Sequence, residues 1–303
     1  MIEAVTHHIS TYPTAVMRDS DAKSDDALRD PLAAALDTLD WGDVQVAGGR
    51  SGWLADVSIQ YRPMWDTKRR AISTFVAIPA CRHAGQEAVT AGRQNVLLDD
   101  TPAAQLQLDV FTLQEAGRDL AATLEDGARA LVSVQVGFET LASAAGRMEY
   151  MRHWPLLSEE TRKHLILELI GLPDGIAASR LFELTGMIKR QCRAVIAQIQ
   201  PGYQEFGLLR DSGISVAGLE IAGRPADETA LIGRLQRFAE NAGKAGLSTY
   251  LHGTPSLSLT VAAMAAGFTY IDGDTVASPS DGLQLVRRFG LEDLYMQVLR
   301  RLG

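Results

Sequence analysis

The sequence predicts an α/β protein, and more specifically a closed (β/α)8 barrel of the TIM type. Two strand-like runs separated by a short polar turn predict a hairpin near the start of the folded region. Six later apolar runs alternate with amphipathic helical patterns, which is typical of parallel α/β folds. The total of eight strands is what a closed barrel requires, and the 303 residues suffice for one. A doubly wound open sheet is the alternative.

The first residues predict no core structure. Residues 1–29 are polar and aperiodic, so we expect a mobile N-terminal arm there and a single barrel domain over residues 30–303. Asp30 and Pro31 are typical of the N-cap and the first position of a helix, here a short one ending at Leu39.

The hairpin is predicted over residues 57–64 and 71–78 around a polar turn at 66–69, and a long helix is predicted at about 103–127. The other predicted strands are residues 130–136, 165–170, 194–199, 216–221, 247–251 and 268–271. Apolar residues in the intervening helices recur at helical spacing, which predicts one apolar stripe against the sheet. The closing helix has the same pattern at Leu291, Leu294, Tyr295, Val298, Leu299 and Leu302.

Composition excludes several classes of protein. Hydrophobic residues make up 46% of the chain and charged residues 22%, as in globular proteins with a sizeable core. A formal net charge of -8, without basic runs interleaved with aromatics, argues against a nucleic-acid partner. Neither a signal peptide nor a long uninterrupted apolar segment is present, so we expect a cytoplasmic protein without membrane insertion. The two cysteines, Cys81 and Cys192, predict buried thiols rather than a disulfide or a zinc site.

Seven short segments, in order, resemble the EAL-domain family. The motifs are similar to that family's Tyr-Gln-Pro-Ile-Val-Asp, Leu-Asp-x-x-Val-Leu, Val-Asn-Leu-Ser, Leu-Glu-Ile, Gly-Tyr, Leu-Lys-Ile-Asp and Gly-Cys-Asp-Tyr-Val-Gln-Gly. They fall here on residues 61–66, 108–113, 132–136, 167–169, 202–203, 219–222 and 267–273. The resemblance spans about residues 30 to 290 and implies a barrel whose first strand is antiparallel. Members of the family hydrolyse cyclic di-GMP with two divalent metals.

The resemblance also implies that the metal-binding residues are missing. The Glu-Ala-Leu motif falls on Val76-Ala77-Ile78, and the metal-bridging Asp-Asp pair falls on Ala197-Gln198. Gln135 takes the place of the asparagine ligand, and Glu168 is the one metal ligand that remains. Glu220 and Ala222 stand in place of the Lys and Asp of the family's Leu-Lys-Ile-Asp motif. His252 and Pro255 stand in place of the two glutamates of its Ala-Glu-Gly-Val-Glu-Thr loop. Since Mg²⁺ and Mn²⁺ need several oxygen ligands, we predict a degenerate member with no bound metal and no hydrolysis.

Residues that could still contact a ligand are expected near the carboxyl ends of the barrel strands, where barrel active sites lie. These candidates are Arg62, Gln135, Glu168, Glu220, His252 and Asp272. The arginine that the family carries just beyond Glu-Ala-Leu has no counterpart in register, and the nearest is Arg82. Alternatively, these residues form only hydrogen bonds or ion pairs with each other, in a cleft that no longer binds a ligand.

The function predicted from these observations is that of a regulatory or scaffolding protein without enzymatic activity or cofactor. It would bind another protein, or a second copy of itself, in a bacterial signalling or motility circuit. Two alternatives stay open: a non-hydrolytic receptor for cyclic di-GMP, and an enzyme with a rebuilt site at the barrel mouth.

Overall fold

An antiparallel hairpin opens the part of the chain that the computed structural model describes, namely residues 52–82, 89–97, 100–221, 223 and 225–302. The arm predicted at 1–29, the helix predicted before residue 40 and the domain boundary at residue 30 lie outside these ranges. Strands β1 (Val57–Asp66) and β2 (Ala71–Cys81) form the hairpin, as predicted. Asp66 holds the turn, because its Oδ1 accepts hydrogen bonds from the backbone N of Lys68 (3.0 Å) and Arg69 (2.9 Å).

The rest of the described chain alternates strands and helices. The further strands are β3 (Thr90–Ala91), β4 (Leu131–Gly137), β5 (Leu165–Ile170), β6 (Ala194–Gln198), β7 (Val216–Glu220), β8 (Ser248–His252), β9 (Tyr270–Ile271) and β10 (Arg287–Arg288). The helices are α1 (Arg93–Val96), α2 (Pro102–Glu125), α3 (Phe138–Ala142), α4 (Ala144–Arg152), α5 (Glu159–His164), α6 (Ala178–Ile188), α7 (Phe206–Asp211), α8 (Glu228–Lys244), α9 (Leu257–Ala266) and α10 (Leu291–Leu302).

Eight of the described strands close into a ring. Neighbouring strands from β2 through β4, β5, β6, β7 and β8 to β9 are parallel. β1 closes the ring with antiparallel pairing on both sides, to β2 and, through Trp65 and Asp66, to β9. The predicted barrel with an antiparallel first strand is therefore confirmed, and the open-sheet alternative is wrong. The short β3 and β10 both pair with β2 outside this ring.

The long helix α2 illustrates how sequence produces the outer layer. Thr101 caps it by accepting a hydrogen bond from Ala104 N, and Pro102 occupies the first turn, where its missing N–H costs nothing. Leu106, Leu113 and Leu120, seven residues apart, are completely buried on the face that packs against the barrel. Burial of each such leucine contributes about 1.5–3 kcal/mol relative to an exposed one.

The closing helix α10 departs from the prediction. Leu294 is completely buried, but Leu291, Tyr295 and Leu299 are 37%, 46% and 60% exposed. α10 contacts α9, and Leu294 is the residue of this stripe that reaches the core cluster, so the other three side chains stay at the surface. Across the described ranges, no helix combines the length and the hydropathy needed to span a bilayer.

Candidate functional site

The six candidate residues all lie at one end of the barrel, where the parallel strands have their carboxyl ends. Each comes from a different strand of the ring or from the residue that follows it. The structure separates them into two groups. Glu168, His252 and Asp272 have no exposed surface and form a buried cluster. The other three, Arg62, Gln135 and Glu220, line an open cleft above it.

His252 is the centre of the buried cluster. Its Nδ1 contacts Asp272 Oδ2, and its Nε2 lies 3.1 Å from Glu168 Oε1 and 3.3 Å from Oε2. An imidazole that faces a carboxylate with each of its nitrogens can donate from both nitrogens only when it is protonated. The geometry therefore indicates an imidazolium held between two carboxylates.

The electrostatics of the cluster agree with this assignment. Burial by itself would lower the pKa of His252, but the charges of Asp272 and Glu168 outweigh it and raise the pKa to about 10. Burial likewise disfavours the charged form of Glu168, yet the neighbouring His252 cation leaves the pKa of Glu168 below its usual value. The pKa of Asp272 is lowered against the same burial penalty by Arg62 first and then by His252. All three groups are charged at neutral pH.

Further contacts complete the cluster. Arg62 Nε lies 2.9 Å from Asp272 Oδ1, an ion pair by distance, although its N–H is not aligned for a hydrogen bond. The backbone N of Gly253 donates to the same oxygen at 3.0 Å. On the other side, Tyr250 OH donates to Glu168 Oε1 at 2.7 Å. Two cationic side chains thus balance two carboxylates, and each carboxylate also receives a neutral donor.

The cleft above the cluster has a volume of about 560 Å³. Its polar lining includes the candidate residues Arg62, Gln135 and Glu220, together with Gln198, Gln200 and Asp100. Gln198 Nε2 donates to Glu220 Oε2 at 3.2 Å, so both side chains are oriented by each other. The cleft is therefore rich in amide groups and carries both signs of charge.

Arg93 also lines this cleft and was missed in the sequence, where Arg82 was the nearest arginine considered. Arg82 is exposed at the end of β2 and does not belong to the lining. Arg93 Nη1 contacts Oδ1 of Asp109, which is completely buried on α2. Asp109 Oδ2 accepts from Gly137 N (3.1 Å) and Thr140 Oγ1 (2.6 Å), and so it joins α2 to the end of β4.

The donor set does not fit a pair of divalent cations. Both oxygens of Glu168 face Tyr250 or His252, and both oxygens of Asp272 face His252, Arg62 or Gly253. The positive charge that metal ions would supply is already provided by the imidazolium. Within the described ranges, no group of three or more His, Cys, Asp or Glu side chains is arranged to hold a metal ion.

Comparisons with known proteins identify the fold. No protein-family model and no curated protein matches the sequence. Among solved structures, the Bacillus subtilis YkuI protein with an EAL domain, in complex with cyclic di-GMP and calcium, has a TM-score of 0.61 at 13% identity; the match covers 82% of this chain and 60% of the YkuI chain. This chain thus matches less than two thirds of the YkuI protein.

Two further structures match over most of their own length. The FimX EAL domain has a TM-score of 0.60 at 14% identity, with 78% of this chain and 99% of that chain covered. An EAL-domain protein from Listeria monocytogenes EGD-e has a TM-score of 0.56 at 16% identity, with 78% and 94% covered. At these identities the likeness concerns the fold, and at that level it confirms the resemblance seen in the sequence.

Proposed function

We propose that this chain, which has the fold of EAL domains, is a non-hydrolytic signalling protein that acts by binding another protein in a bacterial signalling or motility circuit. The observation that carries the proposal is the bridge from Glu168 through His252 to Asp272. It uses the carboxylates at the barrel mouth to hold a protein cation instead of metal ions.

The chemistry that would be lost follows from this bridge. Hydrolysis of a phosphodiester by a two-metal site needs two cations that activate water and neutralise the developing charge. If Glu168 bound a metal ion instead, the buried His252 imidazolium would lose one of its two carboxylate partners. Buried charges without compensation are strongly unfavourable. The zero exposure of the cluster also weighs against the rebuilt enzyme, because a substrate in the cleft could contact Arg62 but not His252.

A surface suited to protein binding lies on α10. Leu291, Tyr295 and Leu299 are four residues apart, so they project from one side of the helix, and all three are exposed. Leu285, which is 71% exposed, and Met296, which is 50% exposed, add apolar area nearby in the sequence. Exposed apolar residues that share one side of a helix are typical of interaction sites. The partner we propose presents an apolar helical face to this stripe.

The test is a comparison of interface variants in the native host. Tagged wild-type protein should recover a stable partner, and the double variant Tyr295→Glu, Leu299→Glu should lose it while keeping the thermal unfolding midpoint. Met148→Glu is the matched control, because Met148 is 70% exposed on α4 and should not affect binding. Analytical ultracentrifugation of the pure protein distinguishes a second copy from a different partner. Recovery of the same partner by the double variant, or of no partner by the wild type, would contradict the proposal.

A receptor for cyclic di-GMP is the second candidate, favoured by the two arginines and four glutamines that line the cleft. Against it, Arg62 is engaged by Asp272, and Glu220 and Asp100 repel phosphates. Calorimetry with cyclic di-GMP, with and without Mg²⁺ or Mn²⁺, separates the candidates. Specific, tight binding that Arg93→Gln abolishes would establish the receptor, and absence of heat at two well-separated temperatures would exclude it.

A further inference from the structure

A second cavity opens at the opposite end of the barrel, where the parallel strands begin. Its volume is about 250 Å³, and it reaches inward between the first residues of β4, β5, β6 and β7. Most of its lining is apolar or aromatic. The side chains that matter most for its shape are those of Met64, Ile166, Ile196, Val216, Tyr250 and Tyr270.

The cavity exists because some of the inward positions at this end are small. Barrel interiors are normally filled by layers of bulky branched residues. Here Ser133 and Ala194 line the space, and Gly218 follows one layer further in. A Cβ on Gly218 would overlap the ring of Tyr250, so the absence of a side chain there lets Tyr250 lie across the barrel as the roof of the cavity.

One polar atom in the lining has no hydrogen-bond partner. Ser133 is completely buried, and its hydroxyl makes no hydrogen bond to any described residue. Burying a hydroxyl without a partner is unfavourable, and most buried polar groups are satisfied. A ligand that carries a polar group to the inner end of the cavity would satisfy it.

The open end of the cavity is cationic. Arg69 and Arg193 both belong to its lining. Arg69 Nη1 lies 3.7 Å from Asp66 Oδ2, so the Asp66 carboxylate partly offsets the charge of Arg69. Arg193 has no carboxylate within ion-pair distance among the described residues, and its side chain is accessible to solvent. A guanidinium in this position is suited to a carboxylate, because its paired N–H groups match the two oxygens.

We propose that this cavity binds a small organic anion, namely a carboxylate on a compact aromatic or branched aliphatic body. The carboxylate contacts Arg193 at the opening, the apolar body packs among Met64, Ile166 and Val216, and a distal hydroxyl pairs with Ser133. This site is separate from the cleft at the barrel mouth and from the exposed stripe on α10.

Tyr250 connects the two ends of the barrel and supplies a local reporter. Its ring roofs the cavity, and its hydroxyl donates to Glu168, which contacts His252. A ligand that touches the ring will shift the NMR signals of the His252 imidazole, whereas a ligand bound to the outer surface will not.

The experiment is an NMR titration of the full chain with 4-hydroxybenzoate, and with 4-hydroxybenzamide as the uncharged analogue. We expect saturable binding of the acid with a dissociation constant of about 1 mM or tighter, and shifts at His252. Arg193→Gln should weaken binding of the acid at least about tenfold, and the amide should bind equally weakly to both proteins.

Two further variants keep the test decisive. Arg190→Gln removes a nearby exposed arginine that does not line the cavity, and it should leave the affinity unchanged. Ala194→Leu fills the cavity and should abolish the His252 shifts. The proposal is overturned if the wild type shows no saturable binding, if Arg193→Gln and Arg190→Gln weaken binding equally, or if binding persists without any shift at His252.

Discussion

His252 and Glu168 are 84 residues apart in the chain, yet their side chains meet inside the barrel with Nε2 3.1 Å from Oε1. The contact places a cationic side chain beside the one carboxylate that the EAL resemblance marks as a retained metal ligand. Three neighbouring residues contact this pair directly or through one another. Tyr250 donates to Glu168, Asp272 contacts His252, and Arg62 contacts Asp272.

Replacing His252 should therefore destabilise the fold. His252→Leu leaves Glu168 and Asp272 buried without the cation between them, and we expect the free energy of unfolding at pH 7 to fall by about 3 kcal/mol or more. Urea denaturation measures it. His164→Ala is the control, because His164 lies on α5 and is partly exposed, with its Nδ1 hydrogen-bonded to Glu160 O at 3.0 Å and 3.8 Å from the Glu160 carboxylate. This substitution should cost less than about 1 kcal/mol. Equal losses in the two variants would show that the bridge is not stabilising.

The same bridge predicts an alkaline loss of stability. The pKa of His252 is about 10 in the folded protein, against an ordinary value of 6.5. Its protonation therefore stabilises the fold fully below about pH 6.5, and this contribution is lost as the pH rises through about 10. The wild-type urea midpoint should fall over that range more steeply than that of His252→Leu. An imidazole that titrates near pH 6.5 by NMR would contradict the assignment.

At the acidic end the sign is reversed. Because the pKa values of Glu168 and Asp272 are lowered in the folded protein, their ionisation stabilises the fold above their ordinary values of 4.5 and 3.8. That contribution disappears as the pH falls further, through the folded-state values. We expect Glu168→Gln to reduce the dependence of the urea midpoint on pH below about pH 4.5. An unchanged acidic slope in this variant would mean that Glu168 is not ionised in the native cluster.

Gly218 should tolerate no side chain. Gly218→Ala places a methyl group against the Tyr250 ring, so the ring must move and its hydrogen bond to Glu168 is lost. We expect a loss of about 2–3 kcal/mol in the free energy of unfolding. Gly186→Ala on α6 has open space around it and should instead gain about 0.5–1 kcal/mol. If the two substitutions had effects of the same sign, Tyr250 would not be packed as described.

Arg93 should matter for stability where Arg82 does not. Arg93→Gln leaves Asp109 buried with only Gly137 and Thr140 as donors, and we expect a cost of about 2 kcal/mol. Arg82 is exposed, and Arg82→Gln should remain within about 0.5 kcal/mol of the wild type. Thermal denaturation of both variants at neutral pH distinguishes them. Similar unfolding midpoints would show that Arg93 does not stabilise the packing of α2.

The barrel could be predicted from sequence because each of its strands is a short apolar run bounded by turns. The hairpin and β5, for example, lie where the pattern places them. The packing of α10 could not be predicted, because its apolar stripe has the same period whether it faces a sheet or solvent. Its exposure depends on which other elements contact α10, α9 among them, and these tertiary contacts leave no signal in the local pattern.

The candidate site was predictable in position but not in its connections. Strand register places Glu168, His252 and Asp272 at the same end of the barrel, yet nothing in the sequence tells which side chains touch. Tyr250 carried no signal beyond its place two residues before His252. Arg93 was missed because β3 and α1 interrupt the chain between β2 and the long helix, so that spacing from Val76-Ala77-Ile78 gave no register.

Binding of Mn²⁺ measured by equilibrium dialysis tests the central claim most directly. If His252 supplies the positive charge between Glu168 and Asp272, the wild-type protein will retain no stoichiometric Mn²⁺, and adding cyclic di-GMP will not change that. Two equivalents of Mn²⁺ bound per chain, with release of the proton from His252, would contradict the account.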